Sequence, residues 1–211
     1  MTLNLSSEDH IKIRDRIRDN ETRTSGEIFA VVARQSDDYQ FVVGCYALMI
    51  SLILGVTLWC LNIFYPMGAT TGWILLVQFI NVVGLLGLSR VSPAFKRLLV
   101  PDRIAYRRAS RNAVQQFLAH GVHNTENRSG VLIFVSLEER YAEVVADAAI
   151  NSKVDQGEWN RMVAGLVDHA ARGALSDGFL QAIDQAGVLL AEHFPPVEGQ
   201  ENELDDKLVE I

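Results

Sequence analysis

From Phe41 to Ser89 the chain contains no Asp, Glu, Lys or Arg, although charged residues are dense on both sides of that window. A charge near the centre of a bilayer costs several kcal/mol, so a partition this sharp is the pattern of a membrane segment joined to soluble parts. The window divides into two apolar runs. Residues 41 to 64 are long enough for about 36 Å of helix, and residues 73 to 89 lie near the lower limit for a span. Between them, Tyr65 to Gly72 supplies Pro66, Gly68 and Gly72 as turn residues, with Trp59, Tyr65 and Trp73 clustered where amphipathic rings favour the interface. A chain of 211 residues has no soluble core able to surround two such helices, so a transmembrane helical hairpin over 41–90 is predicted.

Orientation follows from the basic residues. Arg90, Lys96, Arg97, Arg103, Arg107, Arg108 and Arg111 come directly after the second run, against Asp102 alone. The positive-inside rule places this flank in the cytoplasm, and two spans return the N-terminal segment to the same side. The expectation is therefore an integral protein of the cell or inner membrane with a cytoplasmic soluble part. Its Arg90–Arg111 stretch is suited to anionic lipid headgroups. Cys45 and Cys60 both fall inside the window, 15 apart and too distant on one helix for a disulfide, so they read as apolar filler. The N-terminal residues are polar and charged, with no apolar core of a secretory signal. A net charge of −7 and the absence of any nucleic-acid motif argue against a nucleic-acid partner.

The soluble part is split. In residues 1–40, the run 6–21 is a short amphipathic helix, with Ser6 or Ser7 as its cap and Ile13 and Ile17 on one face. The stretch 27–34, EIFAVVAR, follows as a strand covered on both faces. In residues 91–196, a helix over 101–121 is followed by a second buried strand, SGVLIFVS, at 129–136. YAEVVADAA, 141–149, is compatible with a third strand or with a helix start. Two amphipathic helices, 157–173 and 176–194, close the domain, the latter capped by Ser176 and stopped by Pro195-Pro196. The fold class is α/β: a small mixed sheet with helices on both faces, interrupted by the hairpin, with residues 26–34 pairing beside 130–136. Residues 197–211 are acidic and short of aromatics, the composition of a disordered tail, although Leu204, Leu208, Val209 and Ile211 would suffice for a short docking peptide.

The stretches TSGEIFAVVARQSDDY and SGVLIFVSLEERYAEVVADAAI, with the downstream EW and the closing HFPP, resemble the TPM domain family. The resemblance is to a membrane-tethered subgroup in which a transmembrane hairpin splits the domain. It covers residues 7 to 196 and is most specific around LIFVSLEER. It implies a central sheet with helices on both sides. It also implies the activities ascribed to some members, acid phosphatase activity and calcium binding through acidic residues near the end of the sheet. The acids at matching positions are Glu138 and Glu139, in the turn after the second strand, and Glu143 and Asp147 beyond it. Where many members carry a Gly-rich stretch with an acid, this chain reads ADAAI.

A calcium site needs six to eight oxygens converging on one point, and Glu138, Glu139, Glu143, Asp147 and Asp155 are the candidates. The competing reading is a solvated acidic rim beside Arg140. His10, His120, His123, His169 and His193 are scattered over four segments without the spacing of a zinc site. No nucleophile elbow, P-loop or dinucleotide fingerprint is present. The sequence favours a membrane-anchored, non-enzymatic module that binds an as yet unidentified protein partner. The alternative is a calcium-binding or metal-dependent phosphatase with its metal at Glu138, Glu139, Glu143 and Asp147.

Overall fold

The structure, a computed structural model, describes residues 5–65, 70–125, 127–197 and 202–211. Pro66 and Gly68, expected to punctuate the hairpin loop, lie outside the described residues, as does the stretch 198–201 of the expected tail. The chain forms two compact units, Met1–Asp37 with Tyr106–Ile211, and Asp38–Ala105.

The first unit opens with α1 (Ser7–Glu21), capped by Ser6 in a reciprocal box with Asp9. Then come β1 (Glu27–Ala33), α5 (Asp102–Ala119, of which Tyr106 onward belongs here), β2 (Gly130–Ser136) and β3 (Tyr141–Ala146). The short α6 (Ala148–Asn151), α7 (Gln156–Ala171), α8 (Leu175–His193) and β4 (Leu208–Glu210) complete it. The sheet order is β3-β2-β1-β4. β1 pairs in parallel with β2 along its whole length, Glu27 opposite Gly130 to Ala33 opposite Ser136. β3 runs antiparallel to β2, and β4 lies parallel to the far side of β1.

All seven residues of β1 and of β2 are buried, because alternate side chains enter two cores. Ile28, Ala30, Val32, Val131, Ile133 and Val135 pack with α1, α7 and α8. Phe29, Val31, Ala33, Leu132 and Phe134 pack with Ala113 and Phe117 of α5. A strand covered on both faces needs no polar alternation, and the sequence of β1 shows none. Helices α1 and α8 cross at Gly187, where a Cβ would stand 2.1 Å from Asn20 Oδ1.

Two expectations fail here. Ser176 does not cap α8; the cap position is Ala174 and Ser176 lies within the first turn, since the helix begins at Leu175 to bury that side chain in the core. The end of the tail is ordered rather than disordered. Ile211 N donates to Val32 O at 3.0 Å and Arg34 N to Ile211 O at 2.8 Å, while Leu208 is buried on the α1 and α8 side. Three ladder residues with one buried leucine outweigh an acidic composition, because the edge of β1 supplies the hydrogen bonds that a free tail would take from water.

The second unit contains α2 (Gln40–Phe64), α3 (Thr71–Val91) and the short α4 (Pro93–Leu99). Both α2 and α3 are long and apolar enough to cross a membrane, with mean hydropathies of 2.3 and 1.9. α3 extends past the predicted 73–89 at each end, because Thr70 serves as its N-cap and Arg90 is tolerated in the last turn. Few of these apolar side chains are covered: Leu52, Trp59, Phe79 and Ile80 are each more than half exposed. Polar contacts between the helices join Ser51 and Gln78, with Gln78 Nε2 donating to Ser51 O at 3.3 Å and Ser51 Oγ to Gln78 O at 3.4 Å, beside Gly55.

A candidate site at the carboxyl edge of the sheet

β1 and β2 stop side by side at Ala33 and Ser136, and each then turns over the sheet edge. The ladder persists for two more bonds, Leu137 N to Ala33 O and Glu138 N to Arg34 O, both 3.0 Å. A tight turn over 137–140 follows, with Arg140 in the left-handed region at φ 51°, and it leads directly into β3. This turn folds Glu139 back over the strand ends. Its side chain is buried, with Oε2 2.5 Å from Ser136 Oγ and Oε1 accepting from Ser36 N at 3.1 Å.

These contacts define one directed chain of hydrogen bonds. Ser136 gives its hydroxyl hydrogen to the carboxylate, so in the 2.8 Å contact between the two hydroxyls Ser36 is the donor. Ser36 Oγ in turn accepts from Asn112 Nδ2 at 3.3 Å, and Asn112 Oδ1 accepts from Gln116 Nε2 at 3.1 Å. The relay runs from α5 across both strand ends and terminates on the one charged acceptor in it. Next to it, Arg108 of α5 pairs with Asp37 at 3.3 Å. On the α8 side of the turn lies a cavity of about 580 Å³, walled by Leu137, Arg140, Asp9, Leu175 and Asp177.

The structure does not gather the four predicted acids. Glu139 belongs to the relay, and Glu138 occupies the turn beside it. Glu143 is on β3 opposite Phe134, accepting from Ser110 Oγ at 3.3 Å and from Tyr141 Oη at 3.0 Å. Burial pushes the Tyr141 hydroxyl up to about 12, with the Glu143 charge adding to the effect and Ser110 opposing it. Asp147 lies at the opposite edge: its backbone N–H donates to Gly130 O, and its carboxylate caps α6 at Ala148 N. From Tyr141, opposite Ser136, to Ala146, opposite Val131, is five residues of strand, about 17 Å. Asp155 caps α7 through Gly157 N. Among the described residues, no group of three or more His, Cys, Asp or Glu side chains is placed to hold a metal ion. The histidines are apart as well: His120 packs on Phe29, His123 on Phe117, and His169 Nδ1 meets Gly165 O.

Ser36, Ser136, Asn112 and Gln116 were not singled out in the sequence. They come from three segments up to 100 residues apart, and their spacing forms no motif.

Fold and site together define a split α/β sandwich with a buried polar relay where two parallel strands end. Residues 97–189, less than half of the chain, match the family model of the TPM domain, and this stretch is similar to that family. The match runs from the end of α4 through most of α8, and so leaves out α1 and β1, which the apolar unit separates from the rest in sequence. Among solved structures, the NMR structure of the BA42 protein from the psychrophilic bacterium Bizionia argentinensis sp. nov. is similar in fold. It has a TM-score of 0.60 and 19% identity, over 98% of this chain and 95% of that one. No curated protein sequence matches the chain.

Proposed function

We propose that this protein is a membrane-anchored TPM domain whose soluble unit faces the cytoplasm and acts as a non-enzymatic binding module. The observation that carries this reading is the use made of the acids. Glu139 is committed to Ser136 and Ser36, Glu143 to Ser110 and Tyr141, and Asp147 to the cap of α6. Carboxylates that serve as internal acceptors and lie at opposite sheet edges are poor candidates for one calcium ion. The uncovered apolar sides of α2 and α3 support the membrane anchor, since a soluble unit would hide them. The seven bases of Arg90–Arg111 support the cytoplasmic side and contact with anionic headgroups. The cavity beside Arg140 offers a partner protein a mixed polar and apolar surface.

One observation favours the alternative, a phosphatase or calcium-binding protein: a hydroxyl hydrogen-bonded to a carboxylate at the carboxyl edge of parallel strands, where open α/β sheets place ligands. The two readings separate on the purified full chain. Under ours, calcium leaves the melting temperature unchanged and a generic phosphomonoester is not hydrolysed at acidic or neutral pH. A calcium-induced rise, or phosphate release abolished by Ser136→Ala, overturns the reading. Topology is checked independently by cysteine labelling in a Cys45→Ser, Cys60→Ser background. Ala69→Cys is expected to react from outside intact cells and Ser176→Cys only after permeabilisation, and the reverse pattern refutes the orientation.

A further inference from the structure

The opposite end of β1 holds a second set of carboxylates with no part in the relay. Glu21 ends α1 and Glu27 begins β1. Glu21 Oε1 accepts from Ile28 N at 2.8 Å, but its Oε2 is buried without a hydrogen-bond partner. Glu27 is only 3% exposed; Oε1 accepts from Glu203 N at 3.4 Å, and Oε2 is also buried and unpartnered. The segment that brings Glu203 and Asp206 against them leads into β4. Arg18 is the basic side chain on the wall of the cavity of about 290 Å³ that both glutamates line. The strand is thus docked on the edge of β1 by three ladder residues, and the segment leading into it brings Glu203 and Asp206 against the buried Glu27 and the half-buried Glu21.

An ionised carboxylate with an orphaned oxygen is expensive to bury, and a proton removes that cost. We propose that the C-terminal strand β4 is a proton-dependent latch on the edge of β1, held while Glu21 and Glu27 are protonated and released as they ionise. Burial, reinforced by the charges of Glu27 and Asp206, pushes Glu21 up to about 9 even though the Ile28 N–H works in the other direction. Burial, with the charge of Glu203, also raises Glu27. The sign follows. The docked form binds these protons more tightly than the released form, so docking is fully favoured below the ordinary carboxyl range. It weakens as pH rises toward about 9.

Other groups on the tail act beside them. His10 Nε2 meets Glu210 Oε1 at 2.8 Å, tying α1 to β4. His120 is held below its usual range by burial and by Lys207, and its protonation would repel Lys207 and oppose docking. Lys207 also pairs with Asp205 on the tail itself. Release would uncover the N–H and C=O groups of β1 along Ala30–Val32, an edge open to another extended strand.

The test is hydrogen exchange of the full chain in detergent micelles, corrected for intrinsic rate, between pH 5 and pH 9. Protection of residues 208–211 is expected to fall with pH, by at most about tenfold per pH unit for each titrating group, while β2 stays protected. Glu21→Gln with Glu27→Gln, which keeps the shape of the protonated acids, is expected to hold that protection through pH 9. Should this pair not fold, Glu203→Gln with Asp206→Asn on the tail is expected to make the loss smaller, because those charges help to raise Glu21 and Glu27. Protection that is flat with pH in the parent overturns the latch. So does a loss that survives the glutamine pair unchanged, or one of the parent's full size in the tail pair, and its disappearance in His10→Gln would assign the effect to the His10–Glu210 pair.

Discussion

Replacing Glu139 examines the relay at its one charged member. In Glu139→Ala the edge loses an acceptor for Ser136 Oγ at 2.5 Å and for Ser36 N at 3.1 Å. A hydrogen bond to a charged group contributes about 1.5–3 kcal/mol net, and a buried partner left unsatisfied adds its own desolvation. Ser136 is fully buried and cannot turn to water, so its bond belongs at the upper end of that range. Ser36 is half-buried and recovers part of its bond from solvent, which places it at the lower end. The expected cost is about 4 kcal/mol in total. At about 3 °C per kcal/mol for a domain of this size, the melting temperature should fall by about 12 °C.

Glu139→Gln separates geometry from charge. The amide oxygen still accepts from Ser36 N, but the amide NH₂ faces Ser136 Oγ and reverses the chain. Ser136 must then donate to Ser36, and Asn112 and Gln116 must rotate their amides to follow. Each has both an acceptor and a donor, so the reversal is feasible, and the expected loss is about 1–2 kcal/mol. The assay is thermal unfolding of the full chain in micelles in a Trp59→Phe, Trp73→Phe background, which leaves Trp159 as sole tryptophan. Trp159 is buried in the α7 core and reports on the soluble unit. An alanine variant melting within about 2 °C of its parent would refute the idea that this carboxylate secures the edge. Equal losses for Ala and Gln would refute the directed relay.

Three other expectations follow from the fold. Gly130→Ala should destabilise by about 3 kcal/mol or more, because the new Cβ would lie 2.1 Å from the carbonyl oxygen of Val122, and backbone yields less readily than a side chain; an unchanged melting temperature would show that the turn at 122–124 is not pinned. Val31→Asp should bury an unpaired charge between Phe134 and Val209 at a cost of several kcal/mol; if residues 106–197 then keep the parent's protease resistance, the two sequence halves fold independently. Replacing Asp38–Ala105 by an eight-residue Gly/Ser linker should give a water-soluble domain with the parent's α/β fold.

What could be read from the sequence follows a physical division. β1 and β2 were legible because strands buried on both faces must be continuously apolar, and the apolar unit because two long runs without a charge stand out from the charged sequence around them. The α7 and α8 boundaries were within a residue or two, since their core faces repeat at helical spacing. β4 was not legible: three residues carry too little periodicity, and their strand character comes from the edge of β1. For the same reason 141–149 stayed open between strand and helix; the β2 edge makes 141–146 a strand, and Asp147 begins a helical turn. That turn separates Asp147 from Glu143 despite their four-residue spacing. The relay was invisible because hydroxyl and amide side chains carry no period, and parallel pairing of distant strands is what joins 36 to 136.

The linker replacement addresses why a sheet can be interrupted between two adjacent strands at all. Closing a flexible loop costs about (3/2)RT ln n, so each doubling in length adds only about 0.6 kcal/mol. A connection between β1 and β2 that is longer by a whole inserted unit therefore adds on the order of 1–2 kcal/mol if it behaves as free chain, and less if the insert folds on itself. Against this stand fourteen strand residues, all buried, whose apolar side chains each contribute about 1.5–3 kcal/mol when fully removed from water. Burial wins by a wide margin, so the soluble unit should not need the insert. The ends to be rejoined are close: Arg108 reaches Asp37 at 3.3 Å, so the backbones beside the cut lie within side-chain reach of each other. An eight-residue Gly/Ser linker has a root-mean-square span of about 15 Å, enough to bridge them. The expected product is monomeric without detergent, and its exchange protection over 27–33 and 130–136 should equal that of the full chain. Loss of protection in both strands, with 106–197 collapsing or aggregating, would mean that the apolar unit does more than connect them and that the pairing of β1 with β2 depends on it.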